Sequence, residues 1–85
     1  MSQFSERILR GRDANERLND EVLNRAFDLV VEKWMRAIIG ATPSQSEEIL
    51  EAKRRIDAVQ EIRRTLKMWV EDGELAQAEQ DEDEK

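Results

Sequence analysis

The chain has no cysteine, no histidine and no tyrosine, and only three glycines and one proline among its 85 residues. Each shortage closes off chemistry. Without Cys and His there are no thiol nucleophiles, no Ser–His or Cys–His pairs, no disulfides and none of the usual ligand sets of structural zinc. Carboxylates, amines and four serines are what remain. The absence of cysteine fits a reducing cytosol. Gly11, Gly40 and Gly73 are isolated, so neither a phosphate-cradling loop nor a dinucleotide fingerprint exists. Long apolar runs are missing too. Leu29 to Val31 and Ala37 to Ile39 are three residues each, against about 20 for a membrane-spanning helix. Near the start, Arg7 and Arg10 are not followed by the apolar core of a signal peptide, and Glu6 interrupts their charge. A chain of this length supports one small domain and no large enclosed active site. No enzymatic function, cofactor, metal or membrane association is expected.

The formal net charge of −6 is unevenly placed. Residues 1–70 carry 13 basic and 12 acidic side chains, whereas residues 71–85 carry one basic and eight acidic. Glu79, Asp81, Glu82, Asp83 and Glu84 form a run that repels itself and has little apolar surface to bury. Residues 79–85 therefore read as a disordered acidic tail.

Two periodic segments dominate. Between about 19 and 39, Leu23, Phe27, Val30, Trp34 and Ala37 recur at alternating steps of four and three, the seam of an amphipathic helix. Val22, Ala26, Val31, Met35, Ile38 and Ile39 widen its apolar face. Asn19 or Asp20 can cap its start and Gly40 can stop it. A turn over 40–44 follows. Ser44 and Glu47 have the spacing of a capping box, and Thr42-Pro43 is an equally legal start. From about 45 to 72, Ile49, Ala52, Ile56, Val59, Leu66 and Val70 keep three-four spacing until Asp72-Gly73. Arg63 interrupts this seam, so it either reaches solvent or meets a carboxylate on another helix. Before residue 19, Phe4, Ile8 and Leu9 form one amphipathic turn ended by Gly11. Ala14, Leu18 and Val22 allow the first long helix to begin as early as Asp13.

The expected fold is all-α: an antiparallel hairpin of two long helices over residues 1–78, with room for a short N-terminal helix. A hairpin buries one stripe per helix. Val22, Val31, Met35 and Ile38 form a second stripe, and Ile62 and Trp69 lie off the main seam of the second helix. Leaving such side chains wet forgoes roughly 1.5–3 kcal/mol each. The economical cover is a second copy, giving a dimeric four-helix bundle. The N-terminal apolar residues or another protein are the alternative covers. Trp34, Met35, Ile38, Ile62, Arg63, Leu66 and Trp69 are the expected interface, and a charge at Trp34 or Ile62 should dissociate the oligomer.

Other constellations read more plainly as solvated surface. Glu47, Glu48 and Glu51 could line a divalent site, but metal sites in bundles pair glutamate with histidine. Lys53, Arg54, Arg55, Arg63, Arg64 and Lys67 make the second helix basic. Lys53, Arg64 and Lys67 are its candidate phosphate contacts. Glu51, Asp57 and Glu61 lie among them, however, and Glu51 with Arg55 has the i,i+4 spacing of an exposed ion pair. Nucleic acid is therefore not the favoured partner.

One resemblance rests on particular residues. A helix opening Leu18-Asn19-Asp20-Glu21-Val22-Leu23-Asn24-Arg25-Ala26-Phe27, a Trp near its end, the Thr42-Pro43 turn, and the closing Glu71-Asp72-Gly73-Glu74-Leu75-Ala76 resemble small uncharacterised helical proteins encoded by tailed bacteriophages and prophages. The likeness covers residues 18–76 and carries no catalytic signature. It implies a protein in the cytoplasm of an infected bacterium or in the virion, with a role in assembly and a phage or host protein as partner. The competing expectation is an inhibitor or regulator whose acidic tail imitates nucleic-acid phosphate and occupies a basic site on a host protein.

Overall fold

The computed structural model describes residues 3–84, and the elements among them are three helices: α1 (Gln3–Leu18), α2 (Glu21–Gly40) and α3 (Ser46–Asp83). The fold is all-α. Contacts group into two compact units, one made of Met1–Asp20 with Arg63–Lys85 and one of Glu21–Ile62, where the sequence reading drew a single domain over 1–78.

In the Glu21–Ile62 unit, α3 turns back beside α2, bringing Arg55 over the Trp34 ring at 4.6 Å from its centroid. The turn is built by Thr42, Pro43 and Gln45. The Gln45 amide donates to the Thr42 carbonyl at 2.9 Å, and Pro43 takes the position whose fixed φ suits such a turn. Gln45 then caps α3. Its carbonyl accepts from the Ile49 amide at 3.1 Å, while its side-chain oxygen accepts from the Thr42 amide at 2.9 Å. The cap therefore lies one residue beyond the Ser44 box and two beyond Pro43.

Burial along α2 shows which side faces inward. Leu23, Phe27, Val31, Trp34 and Ile38 are partly buried, spaced by three and four, whereas Val30 and Ala37 are exposed. The inward seam is thus rotated slightly from the expected one, taking Val31 and Ile38 in place of Val30 and Ala37. On α3 the expected seam holds: Ile49, Ile56 and Val59 are partly buried and Ala52 is fully enclosed.

In the other unit, α1 runs antiparallel to the later part of α3. Gly11 faces Gly73 so closely that a β-carbon built on Gly11 would lie 2.9 Å from the Trp69 carbonyl oxygen and 3.0 Å from the Gly73 α-carbon. Ala14 and Ala76, each three residues beyond one of these glycines, are 2% and 0% exposed. Close backbone approach is what small residues at helical spacing permit.

Three boundaries differ from the sequence reading. α1 runs through Gly11 to Leu18, so the N-terminal stretch is a full helix of 16 residues. Asn19 closes it, donating from both its amide and its side chain to the Asn15 carbonyl at 3.1 and 2.9 Å, which also keeps α2 from starting at Asp13. α3 does not stop at Asp72-Gly73 but continues to Asp83. A glycine ends a helix chiefly by adopting a left-handed conformation, and no described glycine has positive φ. Gly73 is spent on the contact with Gly11 instead. Residues 79–83, expected to be disordered, are therefore helical, with Glu84 in a turn; Lys85 lies outside the described residues.

Candidate functional site

The expected interface residues divide between the units. Trp34, Met35, Ile38 and Ile62 belong to Glu21–Ile62, and Arg63, Leu66 and Trp69 to the other unit. Trp34 and Ile38 are partly buried within their own unit, while Met35 and Ile62 are 44% and 49% exposed. Arg63, Leu66 and Trp69 are all partly buried, and Arg63 is engaged by neighbours. Both tryptophans carry cations on their rings. Arg55 and Lys33 lie 4.6 and 5.0 Å from the Trp34 centroid, and Arg10 lies 5.3 Å from that of Trp69. Such contacts hold a half-wet indole in place. Lys53, Arg64 and Lys67 are exposed, Lys53 in one unit and the other two in the second.

Two arrangements stand out, one per unit. The first is a charged clasp between α1 and α3. Arg7 donates from Nε and Nη2 to the two Asp72 carboxylate oxygens at 3.0 and 2.8 Å, the forked geometry that suits a guanidinium to a carboxylate. Its Nη1 donates to Glu79 at 3.2 Å, and Arg10 adds a bond to Asp72 at 3.2 Å. Glu79, counted in the sequence with the acidic tail, is thereby held by α1. The hydrogen bonds from Arg7, ahead of its charge and those of Arg10, hold the Asp72 carboxyl below the usual carboxylate range, against a smaller opposing effect of desolvation. The bond to Asp72 is likewise the main cause that raises the Arg7 guanidinium pKa.

The sign of the pH effect follows. A carboxyl with a lowered folded-state pKa contributes stability that is present above its unfolded pKa of about 4 and is lost as pH falls through the folded value. Acidification below about pH 4 should therefore loosen α1 from α3. Hydrogen exchange of the α1 amides would show it, and Asp72→Asn should give faster exchange already at neutral pH. An Asp72→Asn chain with the parent's exchange rates would remove the clasp from the account.

The second arrangement is an open groove of about 920 Å³ beside the turn joining α2 to α3. Trp34, Ala37, Gly40, Ala41 and Leu50 supply its apolar lining, with Glu47, Glu48 and Glu51 among the charged residues along it. Glu51 is occupied by Arg55 at 3.0 Å and Arg54 at 3.7 Å. The Glu51–Arg55 pair is the one its spacing announced. Among the described residues no group of three or more acidic side chains could hold a metal ion, and no helix is long and apolar enough to cross a membrane.

Sequence reasoning missed the clasp and the glycine contact because it treated Gly11 and Gly73 as helix ends. The signal that could have found them is the repeated spacing of Gly11 with Ala14 and Gly73 with Ala76, each inside a run of good helix formers. Searches of protein families, curated proteins and solved structures return no match to this chain.

Proposed function

We propose that this chain is a small non-enzymatic interaction protein that works by helix–helix self-association, with a two-fold dimer of its α2–α3 hairpin as the unit. One observation carries the reading. The buried hydrophobic side chains of the described residues are alanines, Ala14, Ala52 and Ala76, whereas Val22, Ile39, Met68, Leu75 and Leu50 are 80%, 78%, 61%, 54% and 51% exposed. A domain stable by about 5–15 kcal/mol gains little from alanines, and each large apolar side chain left wet forgoes roughly 1.5–3 kcal/mol. Burial between copies supplies what the lone chain lacks.

An assembly or accessory role in a phage, within the infected cell or the virion, is the context we attach to this activity, on the likeness over residues 18–76. The test is molar mass by light scattering on the intact chain, at low and high salt. A mass of twice the chain, insensitive to salt, is the expected result, because apolar contacts are not screened. A monomer at every concentration would overturn self-association and direct the search to another protein.

A further inference from the structure

The face of α3 turned away from α1 repeats itself with its charge reversed. Trp69, Gly73 and Ala76 take the side covered by α1. On the opposite side Arg64, Lys67, Met68, Glu71, Glu74 and Leu75 are all exposed. At seven-residue spacing, about two turns of helix, Met68 is followed by Leu75, Arg64 by Glu71 and Lys67 by Glu74. The apolar position is kept while both charges change sign. Met68 and Leu75 are the two most exposed large apolar side chains described in this unit. Among the described residues none of the four charges is paired within the chain.

Such a face is complementary to its own copy in one orientation. Laid antiparallel about a two-fold axis between residues 69 and 70, the first repeat of each copy meets the second repeat of the other. Lys67 then comes level with Glu71 of the second copy, and Arg64 with its Glu74, each to within one residue or about 1.5 Å along the helix. By symmetry there are four such pairs, all of opposite sign. The two Met68 side chains lie next to each other at the axis, and Leu75 of each copy follows one turn beyond Met68 of the other, so the apolar groups form a continuous row beside the charges. A parallel copy in register would set like charge on like. Asp81 and Glu82 lie about three turns from the axis, where crossing helices have separated.

We infer that a second copy of this chain docks on this α3 face, antiparallel and isologous, with Arg64 and Lys67 of each copy against Glu71 and Glu74 of the other. The contact goes beyond the hairpin association proposed above and does not depend on it. It involves few apolar side chains and exposed ion pairs that salt screens, so it is weak, forms at higher chain concentration than the hairpin dimer, and is lost in high salt.

The experiment is sedimentation equilibrium of the full chain up to high concentration, at low and high salt, with circular dichroism to verify helix content. At low salt the intact chain should show an association step that high salt removes, whereas the hairpin dimer persists in both. Two charge-reversed chains test the pairing, one carrying Arg64→Glu with Lys67→Glu and the other Glu71→Lys with Glu74→Lys. All four positions are exposed, so both chains should keep their helix content. Each alone should associate in this step about tenfold more weakly than the parent or worse, because every pair becomes one of like charge. An equimolar mixture of the two should recover the parent's step, since all four pairs are again of opposite sign. A parent without a salt-sensitive step would overturn the contact, as would a mixture no more associated than its components or reversed chains that associate like the parent. Loss of the salt-insensitive dimer, by contrast, would overturn only the hairpin association.

Discussion

Gly11→Ala should destabilise the packing of α1 on α3, whereas Gly40→Ala, the same added carbon elsewhere, should stabilise the chain or leave it unchanged. In a helix, alanine is favoured over glycine by about 1 kcal/mol because glycine loses more backbone freedom on folding. At Gly40 that preference acts unopposed, since the new carbon meets nothing. At Gly11 the carbon would come within 2.9 Å of the Trp69 carbonyl oxygen and 3.0 Å of the Gly73 α-carbon, both backbone atoms that move only if a helix moves. Overpacking of this kind costs about 1–3 kcal/mol, enough to outweigh the helical gain. Each kcal/mol is worth roughly 4–8 °C of melting temperature in a domain of this size. Melting followed by circular dichroism, at matched protein concentration because association shifts the midpoint, would measure the difference. A Gly11→Ala chain as stable as Gly40→Ala would show that α1 does not lie against Gly73.

The contrast between these glycines also explains how much was legible beforehand. Helix type was readable wherever apolar spacing persisted, and the α3 seam of Ile49, Ala52, Ile56, Val59, Leu66 and Val70 was read residue by residue. The α2 seam was read correctly at Leu23, Phe27 and Trp34 and one position off at Val30 and Ala37, because Val30 and Val31 are chemically alike and only the direction of α3 distinguishes them. The helix ends were less legible, for a physical reason. Gly73 after Asp72 has the composition of a stop, and nothing local reveals that a second glycine 62 positions earlier will come against it. The tail was misread likewise. Its repulsion is local and visible, while the Arg7 that draws in Glu79 at 3.2 Å is supplied from the other end of the chain. Long-range contacts between small or charged residues leave no periodic trace. Apolar stripes do, which is why the excess of apolar surface was evident in the sequence but the face that α2 leaves outward was not.

Ala52→Leu should be as damaging to the Glu21–Ile62 unit as Gly11→Ala is to the other. Ala52 is 0% exposed and sits midway along the seam between Ile49 and Ile56. Three added carbons have no space there, and forcing them in costs about 1–3 kcal/mol through shifted side chains and backbone. Ala58→Leu is the control. Ala58 is exposed on the same helix, leucine is nearly as good a helix former as alanine, and a surface change of this kind stays within about 0.5 kcal/mol. Equal melting of the two variants would mean that α2 and α3 do not close over Ala52. The pair also separates folding from association. Ala52 lies in the stretch of α3 that builds one wall of the groove, so displacing it should weaken dimerisation together with stability. Ala58→Leu should leave both unchanged, since Ala58 is exposed and outside the lining of the groove.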